Sequence, residues 1–326
     1  MNIIISHKTA FKYYRYFRNN RHYSFNKHLT LQSKLKIPEK SFRQDFDYAK
    51  HEIENLFDEH QINILICDNS NIHVGRDFVQ HSTYLKYPTN SFYAINDSLY
   101  IPSPEMIFYQ LSQILKFSDL MLAGLELCGT YTISKDFEQS LTTDIEPVTS
   151  KNKIIQFLNK LHAQNSHAQS IRYAKMVARY LEDGSNSPQE SRLFVMFCGP
   201  RCYGAYGIKN MKFNQGVKLS KKSYKIAHQN FIYPDICNKD KKIAIEYDSN
   251  EFHNNVDQNT KDKLRINALQ SDGWRVFSFV PSNTINIDSL HIMALDILKF
   301  NGQDKRIKTK NFYMKRNQLH NELYAK

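Results

Sequence analysis

Two acids close a short apolar run in this chain, Ile243-Ala244-Ile245-Glu246-Tyr247-Asp248. Side chains alternate along a strand, so Glu246 and Asp248 share one face and Tyr247 takes the other. A third acid, Asp235, closes the strand-like segment Phe231 to Ile236 and would lie beside them if the two segments pair. Carboxylates brought together repel, and the cluster is costly unless a cation occupies it or one acid keeps its proton. Carboxylate oxygens suit Mg2+, which is often held by one or two acids with waters and substrate phosphates completing its shell. That combination points to metal-assisted phosphodiester chemistry. A lone Asp at a strand end is usually a turn or cap residue, and alternating acids are often a solvated edge. The apolar lead-in and the order of the downstream motifs favour a site here.

The elements that would position these acids can be read on either side. Ser187-Pro188-Gln189-Glu190 opens a helix, with Pro in its first turn, and places Glu190 near the helix start. Asp257 to Gln270 has a polar amphipathic helix pattern, in which Lys261 and Arg265, four apart, lie on one face. Gly273 ends that helix, and Trp274 to Val280 alternates like a strand. Trp274 itself reads as a core anchor. Gly204-Ala205-Tyr206-Gly207 is too sparse for a phosphate loop and reads as a turn between the Glu190 helix and the first strand.

In order and setting, these motifs resemble the PD-(D/E)XK nuclease core, and in particular endonuclease domains akin to the very-short-patch repair (Vsr) endonucleases. The residues that carry the resemblance are Glu190, Asp235, Ile245-Glu246-Tyr247-Asp248, His253, Lys261 with Asp262 and Arg265, and Gly273-Trp274-Arg275-Val276. It covers roughly the last 40% of the chain. It implies a restriction-endonuclease-like core, a mixed sheet flanked by helices, with Asp235, Glu246 and the Tyr247 carbonyl as Mg2+ or Mn2+ ligands. It further implies catalytic roles for Glu190, Asp248, His253 and Lys261, and phosphate contacts from Arg265. One departure stands out: where the general family places Lys, two residues after the second acid, this chain has Asp248. The very-short-patch enzymes lack that Lys too. The water-activating group is then left open between His253 and Lys261.

Composition agrees with a nucleic-acid partner. Of 326 residues, 44 are Lys or Arg and 32 Asp or Glu, a formal charge of +12, a balance that favours polyanions. The last segment is the most basic, and Lys305, Arg306, Lys308 and Lys310 are candidate DNA contacts, weighed equally against a solvated terminus. Hydrophobic residues make up 41% of the chain, enough for packed cores. No apolar stretch is long enough to span a membrane, and Met1 to Phe17 lacks the apolar core of a signal peptide; a cytoplasmic location is expected. Five scattered cysteines fit reduced thiols. Cys198 and Cys202 form half a zinc site at best, so structural Zn2+, which the very-short-patch enzymes carry, is not expected.

The first half reads as α/β. Ser6 to Phe17 is an aromatic, basic helix behind a cap. Strands are expected at Ile62–Cys67, Ile72–Val74, Phe92–Ile95 and Leu99–Ile101, and helices at Met106–Phe117 and Leu120–Cys128. The segment Tyr100 to Phe108, a strand followed by Ser-Pro-Glu and a helix, resembles AbiEi-type antitoxin regulators, on one short motif. The chain therefore divides into an N-terminal α/β recognition or regulatory domain (1–150), a helical connector (151–186), the nuclease-like domain (187–301) and a basic tail (302–326). The expected function is Mg2+-dependent hydrolysis of DNA, in phage defence or DNA repair by analogy, and a partner protein of a defence system is compatible with it. The alternative is a DNA-binding, antitoxin-like regulator whose nuclease fold does not cleave.

Overall fold

The structure, a computed structural model, describes residues 2–19, 29–32, 35–40, 42–54, 61–67, 75–133, 141–248, 256–303 and 307–325. It is a mixed α/β protein of two compact units, Met1–Leu181 and Glu182–Lys326.

In the first unit a four-stranded sheet runs in the order β1 (Ile3–Ile4), β6 (Leu99–Pro102), β5 (Phe92–Ala94) and β2 (Thr30–Gln32). Strands β3 (Ile62–Ile66) and β4 (Phe78–Ser82) form a parallel pair, and β7 (Thr132–Ile133) pairs with β8 (Leu141–Thr142). Six helices among the described residues complete it: α1 (His7–Asn19), α2 (Arg43–Glu54), α3 (Pro104–Leu111), α4 (Phe117–Cys128), α5 (Lys151–Gln164) and α6 (Gln169–Ala178). Most polar groups in this core are paired, Gln110 Nε2 and Arg18 Nε being exceptions. Arg15 grips the buried Glu126 with two bonds, Nε to Oε1 at 2.9 Å and Nη2 to Oε2 at 2.6 Å. Glu126 Oε1 also accepts from Thr132 Oγ1 at 3.0 Å. His7 stacks on His81 at 3.6 Å between ring centroids. Burial first, and then its neighbour's charge, pushes the His7 imidazole down to about 3.

Two sequence expectations shift here. The helix expected over Met106–Phe117 stops at Leu111, because Ser112 Oγ donates to the Tyr109 carbonyl at 2.6 Å and competes with the helix ladder; Phe117 instead opens α4. The segment read as a connector is α5 and α6, whose faces Ile154, Leu158, Leu161 and Ile171, Ala174, Val177 are fully buried, and it belongs to the first unit. The strand expected at Ile72–Val74 lies outside the described residues.

The second unit is built on a mixed sheet in the order β14 (Arg275–Phe279), β13 (Ile243–Tyr247), β12 (Ile236–Asn238) and β9 (Lys212–Phe213). β13 and β14 are parallel, joined through α9 (Val256–Ser271); the other pairs are antiparallel. A small hairpin-like pair, β10 (Val217–Lys218) with β11 (Phe231–Ile232), brackets α8 (Lys221–Ala227). Ile232, Cys237, Ala244, Leu269 and Trp274 share one apolar cluster with Ile226 of α8. On the other face, α7 (Pro188–Cys198) sets Phe194 on Phe213 at 4.5 Å and Phe197 on Phe279 at 5.2 Å. Helices α10 (Pro281–Ile285), α11 (Ile287–Phe300) and α12 (Phe312–Tyr324) complete the unit.

Asp235 lies just ahead of β12 rather than closing a continuous strand, because Pro234 cannot donate to the ladder. The segment read as a tail contains α12, which buries Phe312, Arg316, Leu319, His320 and Leu323 at helical spacing; its basic composition hid that period. Gly204 lets α12 dock. Its φ is +95° and an added Cβ would overlap the main chain of Lys315, so both the conformation and the space require Gly. Gly204→Ala is expected to cost about 1–3 kcal/mol, read as a lowered urea midpoint for the second unit.

Candidate active site

Backbone register builds the site. In β12–β13, Ile236 pairs with Ile245 and Cys237 with Ala244, so one step further Asp235 stands opposite Glu246. In β9–β12, Phe213 pairs with Ile236, which sets Asn214 opposite Asp235; the Asn214 N–H donates to the Asp235 carbonyl at 3.1 Å. In β13–β14, Glu246 pairs with Ser278. Asn214, Asp235, Glu246 and Ser278 thus form one row across the sheet, at the carboxyl ends of its two parallel strands. Open α/β sheets commonly bind ligands outside those ends.

The Asp248 N–H donates to Phe279 and the Arg275 N–H to the Lys242 carbonyl, so even-numbered residues of β13 face β14. Odd-numbered ones then face β12. Asp235 and Glu246 are accordingly a non-hydrogen-bonded pair, the kind whose side chains lie closest, with Cα atoms about 4.5 Å apart. Like charges directly opposite each other are destabilising. Tyr247 directs its N–H toward β12, where it donates to Asp235 Oδ2 at 2.7 Å and fixes that carboxyl. Its carbonyl faces the same way, opposite Pro234.

Glu190 comes from the first turn of α7. Ser187 caps this helix, its Oγ accepting from the Glu190 N–H at 3.1 Å. The Glu190 carboxyl folds back, and its Oε2 accepts from the Asn186 N–H at 3.0 Å and from Asn214 Nδ2 at 2.9 Å. Asn214 therefore bridges α7 to the acid row. From α9, Arg265 donates Nη2 to the Tyr233 carbonyl at 3.3 Å and lies 3.4 Å from Asp262 Oδ1.

All three acids are pushed upward. Burial raises Glu246 to about 8, with Asp235 adding to it. Burial and then Asp235 raise Glu190 to about 7. Burial raises Asp235 to about 6 even though the Tyr247 N–H and Arg265 pull it down. Asp262 adds repulsion to both Asp235 and Glu246.

The structure therefore brings together Glu190, Asp235, Glu246, Tyr247 and Arg265. Asp248 and Lys261 are exposed at the margin, and of α9 it is Asp262 with Arg265 whose charges act on the acids. Lys308 and Lys310 are exposed ahead of α12. His253, Lys305 and Arg306 lie outside the described residues. Sequence reasoning missed Asn214, which reads as a turn residue in Phe213-Asn214-Gln215-Gly216. It also gave Asp262 no role of its own, although Asp262 lies three residues before Arg265 on a helix. Among the described residues, no group of three or more His, Cys, Asp or Glu side chains is arranged to hold a metal. The donors at hand are two opposed carboxylates and a main-chain carbonyl. Comparison with protein-family models, curated proteins and solved structures finds no match for this chain.

Raised carboxyls make stability depend on pH. In the unfolded chain these groups ionise near pH 3.8 (Asp) and 4.5 (Glu), while in the fold they keep their protons up to about pH 6 to 8, so stability falls as pH rises from the unfolded values through the folded ones. Without divalent cations, the melting temperature of the second unit is expected to drop by several degrees between pH 5 and 8.5. Glu246→Gln should flatten that slope; an equally steep slope in the variant would refute the cluster's role.

Proposed function

We propose that the second unit hydrolyses DNA phosphodiester bonds with Mg2+ or Mn2+. The observation that carries this reading is the opposed, half-buried pair Asp235 and Glu246, backed by the buried Glu190, with one arginine, Arg265, against these three acids and Asp262. A fold gains nothing in stability from that arrangement, and a binding surface for a polyanion is weakened by it. A hard cation accounts for it. The donor chemistry fits Mg2+, which uses one or two carboxylates and leaves the rest of its shell to water and phosphate.

Asp235, Glu246 and the Tyr247 carbonyl would hold the ion. When bound, it supplies Lewis-acid polarisation and charge neutralisation at the phosphate. The protein's own groups do the rest. The Tyr247 N–H locks the Asp235 carboxyl in one orientation. Glu190, held by the Asn186 N–H and the Asn214 amide at Oε2 and by the Ser187 hydroxyl, would hold or accept a proton beside the pair. Arg265, anchored on the Tyr233 carbonyl, offers its guanidinium to a phosphate oxygen.

The test is cleavage of supercoiled plasmid by the full chain with Mg2+ or Mn2+, beside Asp235→Asn and Glu246→Gln. Nicking or linearisation is expected with the native chain and a loss of about a hundredfold or more in each variant. A second readout is independent of turnover: Mg2+ at pH 8 should raise the melting temperature of the native chain and leave that of Asp235→Asn unchanged. Salt-sensitive DNA binding with neither cutting nor a metal-induced shift would favour the regulator reading.

A further inference from the structure

Two aromatic rings stand in the open on the segment that leads into the acids. In β10–β11, Val217 pairs with Ile232 and Lys218 with Phe231. Val217 and Ile232 are buried in the core beneath, which turns Lys218 and Phe231 outward together. Phe231 is 46% exposed and Tyr233, two residues on, 56%. Tyr233 is nonetheless a placed ring. Its carbonyl takes Arg265 Nη2, and its ring lies so close over Gly216 that an added Cβ would come within 2.9 Å of Cε1. Residues two apart in extended chain are about 7 Å apart, roughly twice the 3.4 Å step of a duplex strand. That separation goes with unstacked bases.

The stretch of chain that carries these rings is basic, and an acid, Asp272, is bonded to it at the start of α8, where it accepts from Ser220 and Ser223. Between Glu190 and Asp235 the chain holds no Asp or Glu and eight Lys or Arg. Lys218 is the cross-strand neighbour of Phe231, and Lys221, Lys222 and Lys225 are exposed on α8. Exposed rings beside lysines are the means by which proteins hold unpaired strands, because every base has a face to stack and every nucleotide a phosphate. A duplex keeps its base faces covered.

We propose that Phe231 and Tyr233 are a stacking platform for unpaired bases, flanked by Lys218 and the α8 lysines on the phosphates, which delivers single-stranded DNA to the acids. This deepens the phosphodiesterase reading and rests on it. The platform lies two and four residues from Asp235, so the strand would reach the site within one or two nucleotides of the stacked bases.

The experiment uses the full chain carrying Glu246→Gln, so that binding is read apart from cutting. The probes are oligothymidine of about 12 nucleotides with one 2-aminopurine, and a duplex of the same length. Tighter binding of the single strand is expected, with fluorescence quenched on binding. Phe231→Ala with Tyr233→Ala should weaken single-strand binding about tenfold or more and abolish the quenching; Phe231→Trp should retain both. Lys218→Ala should lower the salt dependence of single-strand binding by about 0.7 in log–log slope. Equal affinity for duplex, unchanged binding by the double variant, or no binding to either probe would overturn the platform. Plasmid cutting that survives alongside any of those results would leave the phosphodiesterase reading intact, whereas quenching without cutting by the native chain would sink that reading alone.

Discussion

The second unit depends on a strand register that holds two carboxylates face to face. Ile236, Ile243 and Ile245 are fully buried, and each such side chain contributes on the order of 1.5–3 kcal/mol when removed from water. A slip of one residue would turn them all to the wrong face, so apolar packing sets the pairing of β12 with β13. Asp235 and Glu246 flank those residues and have no say in it. They are carried into opposition by isoleucines that must be inside, and the repulsion between them is a cost the apolar pairing overrides.

The two units handle buried charge differently. In the first, Glu126 is inside but meets Arg15 with paired bonds and takes a hydroxyl as well. Removing either partner would strand a charge, the usual reason such pairs persist. The stacked His7 and His81 are uncharged near neutral pH for the same reason: burial disfavours the imidazolium. In the second, Glu190, Asp235 and Glu246 have N–H donors and one arginine and, among the described residues, no matching set of cations. The contrast sets paired charge in one unit against an arrangement in the other whose acids outnumber the cations that act on them among the described residues.

Much of this was legible from residues alone where the signal was local. Ile243 to Ile245 announced a buried strand, Ser187-Pro188 a capped helix start, Gly273 a helix end at φ +80°, and Trp274 a core position. The convergence of Glu190, Asp235 and Glu246 came from their order among such elements. What escaped depends on partners distant in sequence. Asn214 looks like any turn residue, and its bridge to Glu190 spans 24 positions. Lys261 and Asp262 are neighbours on a helix, and only the rotation of that helix on the sheet decides which one faces the acids. The C-terminal helix was hidden by charge, because five buried positions at helical spacing are few enough to vanish in a basic stretch.

Pro234 sits opposite Tyr247 where the two central strands would otherwise continue. Any other residue there would bring an N–H aimed at the Tyr247 carbonyl and allow the ladder one more rung. With proline in place, β12 and β13 stop pairing beside the two acids, and the Tyr247 N–H turns to a side chain instead. The end of the sheet is thereby kept from zipping shut. A ring that contributes no chemistry of its own works as a wedge, leaving the carboxylates at the lip of an opening instead of inside a seam.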